Sequence, residues 1–590
     1  ENNDVFIIIV DDFQKSAKAN SKYWNLLTNS LSKLFHNTIL VADNSVPLVE
    51  ISNQPVFKGY NKYELLSLSA SQRNDLIKKW FALGRDGEVA EDKNDIFTLC
   101  DEANNHINSI LGKNYIPATP FYVLGMLQAI ETTKSSASNY SLYGFYYEKI
   151  INDCFEASGT DYKDSSFYYG LLSEYCFELF KAKTKFVLVG EFEEFYRNYC
   201  SVHAVDTKRH TFETLTKVLG KSKLLRFDTH VHVSQKYVYY FFVAKYMANN
   251  LENSDIQNIV SNLIARSFRN EYFNILMFLT HLSKSEWVVR ELIASANSIF
   301  CDYKPARLES DLDKINSLIT DIPQKIVGII DVEKEREKQL EIDEQIEKQQ
   351  EEFERDVINY DAFDISDDVS SLDLLARLNL ALKTIDLLGE VAKKYWGELK
   401  ADIKYELVLS AYNLGLRSLS VNLDVINRGE TEIVDYIKQQ IREKYIREQQ
   451  FWNADLNKDT VTKVSNAFII NLAFLASWGA IRRVSSSVGY DKLNLTYDEI
   501  LKNHPNFSYK LIDLSIDLNY KNIPLEEVEG YEQEMKSNNM CYLLLRELVI
   551  NHLYMFEESY KVRDRIFQLF DIKQSQQKYI TGSSFEKRNK

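Results

Sequence analysis

An apolar run, Val5-Phe6-Ile7-Ile8-Ile9-Val10, ends in two consecutive carboxylates, Asp11 and Asp12. Phosphoryl transfer from a nucleotide needs a Mg²⁺ ion held by a carboxylate at the C-terminal edge of a sheet. A strand ending in an acidic pair supplies that, with Asp11 holding a metal-bound water and Asp12 orienting the attacking water. Ordinary strands also end in acidic turns, so the pair takes its meaning from its neighbours. A second apolar run, 38–42, ends at Asp43-Asn44-Ser45. These polar groups emerge beside Asp11 and Asp12 if the two strands are adjacent; whether Asp43 or Asn44 is the one that matters stays open. A phosphate cradle needs backbone N–H groups from a glycine-rich loop and its lysine. Neither Gly112-Lys113-Asn114 nor Gly220-Lys221-Ser222 has the glycine five positions before the Gly-Lys pair, nor a strand leading in. The chain as given is therefore expected to bind ATP weakly or not at all.

These carboxylates need a sheet to carry them. The β-branched run 5–10 reads as a parallel strand buried on both faces. A helix is expected over 22–35, with Trp24, Leu27, Leu31 and Leu34 at helical spacing, and then the second strand. From about residue 63 the period turns helical. Between 211 and 250, a helix with Phe212, Leu215 and Val218 on one face precedes two short extended runs. These are Leu224-Leu225-Arg226-Phe227 and Val231-His232-Val233, around Asp228-Thr229-His230. An aromatic-rich helix over 236–249 follows, an order that suits a winged-helix module.

Residues 331–357 are a charge run in which Leu340, Ile342, Ile346, Phe353 and Val357 make no heptad seam, so a solvated connector helix is expected. Helix then follows helix to about 578, with Pro505 and Pro524 the only prolines. No fixed period emerges, leaving solenoid and bundle both open. The most apolar stretch, 467–480, is short for a bilayer. It reads as a buried core helix whose Ala473, Ala476 and Gly479 allow close packing.

The chain has 590 residues, too many for one core, and only 8 prolines and 19 glycines, which agrees with a helical protein of several domains. A net charge of −15 disfavours a generic nucleic-acid binder. Six scattered cysteines without a CxxC pair read as reduced thiols. With no leader or membrane span evident, a cytoplasmic location is expected.

The order of these segments resembles the NACHT-like STAND ATPases, proteins that sense a ligand and oligomerise on nucleotide exchange. Asp11-Asp12 is similar to their Walker B motif, and the polar residues after the second strand to a sensor-1 position. Tyr63-Glu64-Leu65-Leu66-Ser67-Leu68, with Gln72-Arg73 and Trp80, resembles the exit from their nucleotide domain. Ile116-Pro117-Ala118-Thr119-Pro120-Phe121 resembles the proline motif of their helical domain. Tyr237 to Tyr246 resembles the aromatic helix of their winged helix.

The resemblance implies a mainly α protein. A partial α/β P-loop NTPase sheet would occupy 1–62, a helical domain 63–205 and a winged helix 206–300. A linker with the charged helix would follow at 301–357, and an α-helical sensor-like region at 358–590. It implies ATP/ADP and Mg²⁺ as cofactors, Pro120 and secondarily Pro117 packing on the adenine, and an ADP phosphate contact from Lys236. The family's histidine at that place is absent, Gln235 and Lys236 standing there instead. It also implies a protein ligand sensed by the C-terminal helices, a homo-oligomer on activation, no membrane contact, and a role in bacterial anti-phage defence. The Walker A loop and an effector domain are expected upstream of residue 1. The competing expectation is a non-catalytic helical scaffold carrying a remnant NTPase fold.

Overall fold

The computed structural model describes residues 7–11, 21–35, 37–41, 60–61, 63, 67–83, 93–111, 118–135, 142–160, 164–319, 325–327, 330–357, 374–447, 458–519 and 523–574. The chain divides into two units, Glu1–Ser67 and Leu68–Lys590. Helices predominate throughout, and the sheets are small.

In the first unit, β1 (Ile7–Val10) and β2 (Asn37–Leu40) pair in parallel, with Ile9 opposite Ile39. The crossover between them is α1 (Ser21–Leu34), as a parallel pair requires. Val41 N–H donates to the Val10 carbonyl at 2.9 Å and extends the ladder. The expected burial on both faces is not found. Ile7 and Ile9 are 57% and 64% exposed and Ile39 is 47% exposed, because among the described residues one helix covers only one face of a two-stranded ladder. On α1 Leu31 is buried, whereas Leu34, expected on the same face, is exposed at the helix end.

The second unit opens with α2 (Ala70–Ala82), started by a reciprocal capping box between Ser69 and Gln72. Then come α3 (Lys93–Leu111), α4 (Pro120–Ser135), α5 (Leu142–Ser158) and α6 (Ser165–Lys181). A three-stranded antiparallel sheet follows, interleaved with helices: β3 (Phe186–Leu188), α7 (Val189–Val202), α8 (Phe212–Lys221), β4 (Leu225–Phe227) and β5 (His230–Val233). Its strand order is β3-β5-β4. The two hairpin strands lie where the sequence places them; β3 is an addition. Gly220 and Lys221 belong to the last turn of α8, so they form no phosphate loop.

Next, α9 (Lys236–Asn249) buries Tyr237 to Ala244 without a break and packs on α6 and on α11 (Asn270–Leu282). A helix apolar all round is a core helix. Its aromatics are spent on packing: Tyr246 stacks on Phe177 at 4.1 Å, and the Tyr239 hydroxyl donates to Glu271 at 3.3 Å.

Residues beyond 300 pack directly on these helices. α15 (Leu374–Lys394) reaches back through Lys383, which donates to the Phe268 carbonyl at 2.8 Å. From α16 (Ala401–Arg428), the Arg417 guanidinium bonds the carbonyls of Ala296 and Asn297 at 2.6 and 2.8 Å. α15, α16 and α18 (Lys458–Val488) all pack against one another. That is a bundle arrangement, unlike an array in which each unit meets only its neighbours.

Two sequence expectations are corrected here. The charged helix, α14 (Val332–Val357), is no freely solvated connector, since it lies along α2 and α22 (Asn539–Met555). Arg336 is buried on it, ion-paired with Asp101, stacked 4.6 Å from the Phe97 ring and donating to the Met555 carbonyl at 3.0 Å. Glu344 accepts the Ser71 N–H at 3.0 Å, at the start of α2.

Nor is α18 buried all round. Its core stripe is Val461, Ser465, Ile469, Ala473, Ser477 and Ile481, spaced by four residues, while Leu475 is 62% exposed and Phe468 42% exposed. By length and composition it is long and apolar enough to cross a membrane, with 28% of its most apolar window buried. A Cβ on Gly479 would meet nothing within 4 Å, so that glycine permits no close approach.

Candidate functional site

Of the predicted nucleotide residues, Asp11 follows β1 directly at the C-terminal end of the parallel pair, and it is exposed. Carboxyl ends of parallel strands are where open α/β sheets hold ligands, and Asp11 stands at such an end. Asp12, Asp43, Asn44 and Pro117 lie outside the described residues.

Pro120 and Lys236 belong to the second unit. Each is exposed and each is the first residue of a helix, α4 and α9 respectively. Pro at that position is favoured, because its missing N–H has no intrahelical partner to lose. The two helix starts flank one cluster of buried phenols. The Tyr146 hydroxyl donates to the Tyr122 carbonyl at 3.0 Å, two residues into α4. The Tyr237 ring, one residue into α9, lies 5.4 Å from Tyr147. Burial pushes the Tyr237 phenol above its ordinary range, and the neighbouring Cys154, Tyr122 and Tyr146 add to the effect. These phenols stay neutral and serve as packing between the two helix starts. At α9, the Gln235 side chain makes no capping bond. A helix N-terminus carries partial positive charge from its free N–H groups. Lys236 adds a full charge of the same sign, which suits a phosphate oxygen.

The chain matches no family model and no curated protein.

A second place with ligand-binding character was missed by sequence reasoning. A cavity of 650 Å³ lies against the outer side of α18, lined by Ile470, Phe474, Trp478, Ile550 and Tyr554, with Lys463, Arg546 and Glu547 among its polar groups. Phe474 and Trp478 stack at 6.0 Å, and Glu547 is held by Lys325 at 2.7 Å. Apolar walls with a few placed polar groups are the usual make-up of a binding cleft. The signal available in sequence was the surplus of apolar residues on α18 beyond one buried stripe.

Proposed function

We propose that this chain belongs to a signal-transducing STAND-type ATPase, with ligand sensing by its C-terminal helices coupled to nucleotide exchange and oligomerisation. The observation that carries the reading is the element order from α6 to β5. Helix, strand, helix, helix and hairpin around a sheet of order β3-β5-β4 is the order of a winged helix. It follows in the chain a parallel β–α–β unit with Asp11 at its carboxyl end. Pro120 and Lys236, each exposed at the start of its helix, would supply the adenine contact and the phosphate contact.

In this reading Asp11 would hold the Mg²⁺ of ATP through a bound water, Asp12 would orient the attacking water, and the apolar cavity beside α18 receives part of a protein ligand. A ligand that moves the protein from 1:99 to 99:1 between two states must favour one of them by about 5.5 kcal/mol. Filling the cavity contributes to that difference only to the extent that the cavity is formed in one state and not in the other.

The test uses the full-length protein. Asp12→Asn is expected to abolish ATP hydrolysis while leaving ATP binding measurable, and Lys236→Ala to weaken ADP binding. An unchanged hydrolysis rate in Asp12→Asn removes that residue from catalysis. Size-exclusion profiles that ignore ATP would favour the non-catalytic scaffold instead.

A further inference from the structure

The β4–β5 hairpin turns at Asp228 and Thr229, and the turn is closed from both sides. Asp228 N–H donates to the His230 carbonyl at 3.0 Å, and His230 N–H donates to the Asp228 carboxylate at 2.7 Å. Side chains two apart on a strand share a face, so His230 and His232 project together. Val231 between them points inward; it is fully buried, and its carbonyl accepts the Tyr175 hydroxyl at 3.0 Å. Across the ladder Phe186 is paired with His232. Its ring meets His230 edge-on at 4.9 Å and His232 at 5.3 Å, which braces both imidazoles from one side.

One donor atom from each of Asp228, His230 and His232 lies within 4.8 Å of the other two. Asp228 Oδ1 is 3.6 Å from His232 Nε2 and 4.0 Å from His230 Nδ1, too far for a hydrogen bond to either ring, while the Thr229 hydroxyl lies 2.9 Å from His230 Nδ1 and must turn away for that nitrogen to bind a metal. The backbone N–H of His230 is the main reason the Asp228 carboxyl stays below its usual range, with His232, Arg226 and His230 assisting. All three side chains keep access to solvent, at 48%, 37% and 26% exposure.

We propose that Asp228, His230 and His232 form a mononuclear site for a divalent transition-metal ion of the zinc type, with water completing the coordination. Donors bound to one zinc ion at its usual distances stand roughly 3.3–3.6 Å apart in a tetrahedron. The Asp228–His232 separation is already there, and the widest separation closes by about an ångström through side-chain rotation. Two imidazoles with one carboxylate select zinc, cobalt or nickel over Mg²⁺ and Ca²⁺, which demand oxygen ligands. The bound ion would fasten the turn to the face of β5.

The test is titration of Zn²⁺ alone into the whole chain, cleared of metal beforehand, by calorimetry, with Co²⁺ absorption as a second readout. The wild-type protein is expected to bind one ion saturably and to give the visible Co²⁺ bands of a nitrogen-containing site. His230→Ala, His232→Ala and Asp228→Asn are each expected to weaken binding roughly tenfold or more. His203→Ala, at the residue that caps the C-terminus of α7 and is bonded to Glu174 at 2.7 Å, should leave it unchanged. Far-UV circular dichroism checks that each variant is folded. Absence of saturable binding by the wild-type chain overturns the site without recourse to any variant. Unaltered affinity in any folded variant of the three, or loss in His203→Ala, overturns it as well.

Discussion

Asp513 is buried on α20 (Phe507–Asp517), and that burial works against its charge. Desolvation, with the nearby Asp517, Glu527 and Asp498, pushes its carboxyl up to about 8. Asp517 is pushed up to about 6, again by burial first. In an unfolded chain both ionise near pH 4. The folded protein therefore holds protons that the unfolded chain has released, and their stabilising share is complete only below about pH 4. It is lost as pH rises toward the folded values. Asp513→Asn should remove most of this slope, so the variant's melting temperature should exceed the wild type's by a margin that widens between pH 5 and pH 8. An equal margin at both ends would mean that Asp513 ionises normally. Beside it, the Tyr412 hydroxyl is fully buried with no hydrogen-bond partner among the described residues. Tyr412→Phe is expected to change stability by less than about 0.5 kcal/mol or to raise it, because no bond is lost and a desolvated hydroxyl is removed. Denaturant titration measures this directly.

At the scale of elements, the contact between α15 and α18 rests on a glycine. A Cβ at Gly389 would stand 2.1 Å from the Ser487 carbonyl oxygen and 2.6 Å from its carbon, both backbone atoms that cannot step aside. Gly389→Ala is expected to lower stability by at least about 1–3 kcal/mol, whereas Gly479→Ala should raise it by about 1 kcal/mol through helix propensity. Thermal melts of the two variants should move in opposite directions. Local spacing pointed to Ala473, Ala476 and Gly479, one every three residues, yet the buried stripe advances by four. Which glycine faces a neighbour depends on the partner helix, and that partner is nearly a hundred residues away in sequence. The same limit applies to Arg336. In a run of charges it looks solvated, and only the fold reveals Asp101, Phe97 and the Met555 carbonyl around it. Arg336→Met should cost about 2–4 kcal/mol, since Asp101 loses its partner. It should also speed amide exchange along the first turns of α14.

At the scale of the whole molecule, Leu68–Lys590 has its own extensive core, while the described residues of the first unit form a two-stranded ladder with one helix. Two strands alone are marginal in water. A chain beginning at Leu68 is therefore expected to melt cooperatively within a few degrees of the complete one; a broad, non-cooperative melt would show that the core depends on the first unit. The helical class was legible from the scarcity of breakers, and the first β–α–β from its two apolar runs. The bounds of α9 follow directly from Lys236 and the aromatics after it. β3 was not legible, because Phe186-Val187-Leu188 runs straight into α7 without a turn and becomes a strand only by pairing with His230 to His232. That Asp11 follows the first strand was legible in the sequence, while no local pattern announces the meeting of Tyr122, Tyr146 and Tyr237.

One small pairing has a kinetic consequence. β6 (Ile326–Val327) and β7 (Lys573–Gln574) run parallel, and Lys573 N–H donates to the Lys325 carbonyl at 3.0 Å. Two residues on each side thus close a loop of roughly 250 residues, an entropic cost that so short a ladder repays only after the intervening helices have folded. During synthesis this clasp waits for β7 to leave the ribosome, so the α13 (Asp313–Leu318) to α14 passage goes without its strand partner while roughly 250 further residues are made.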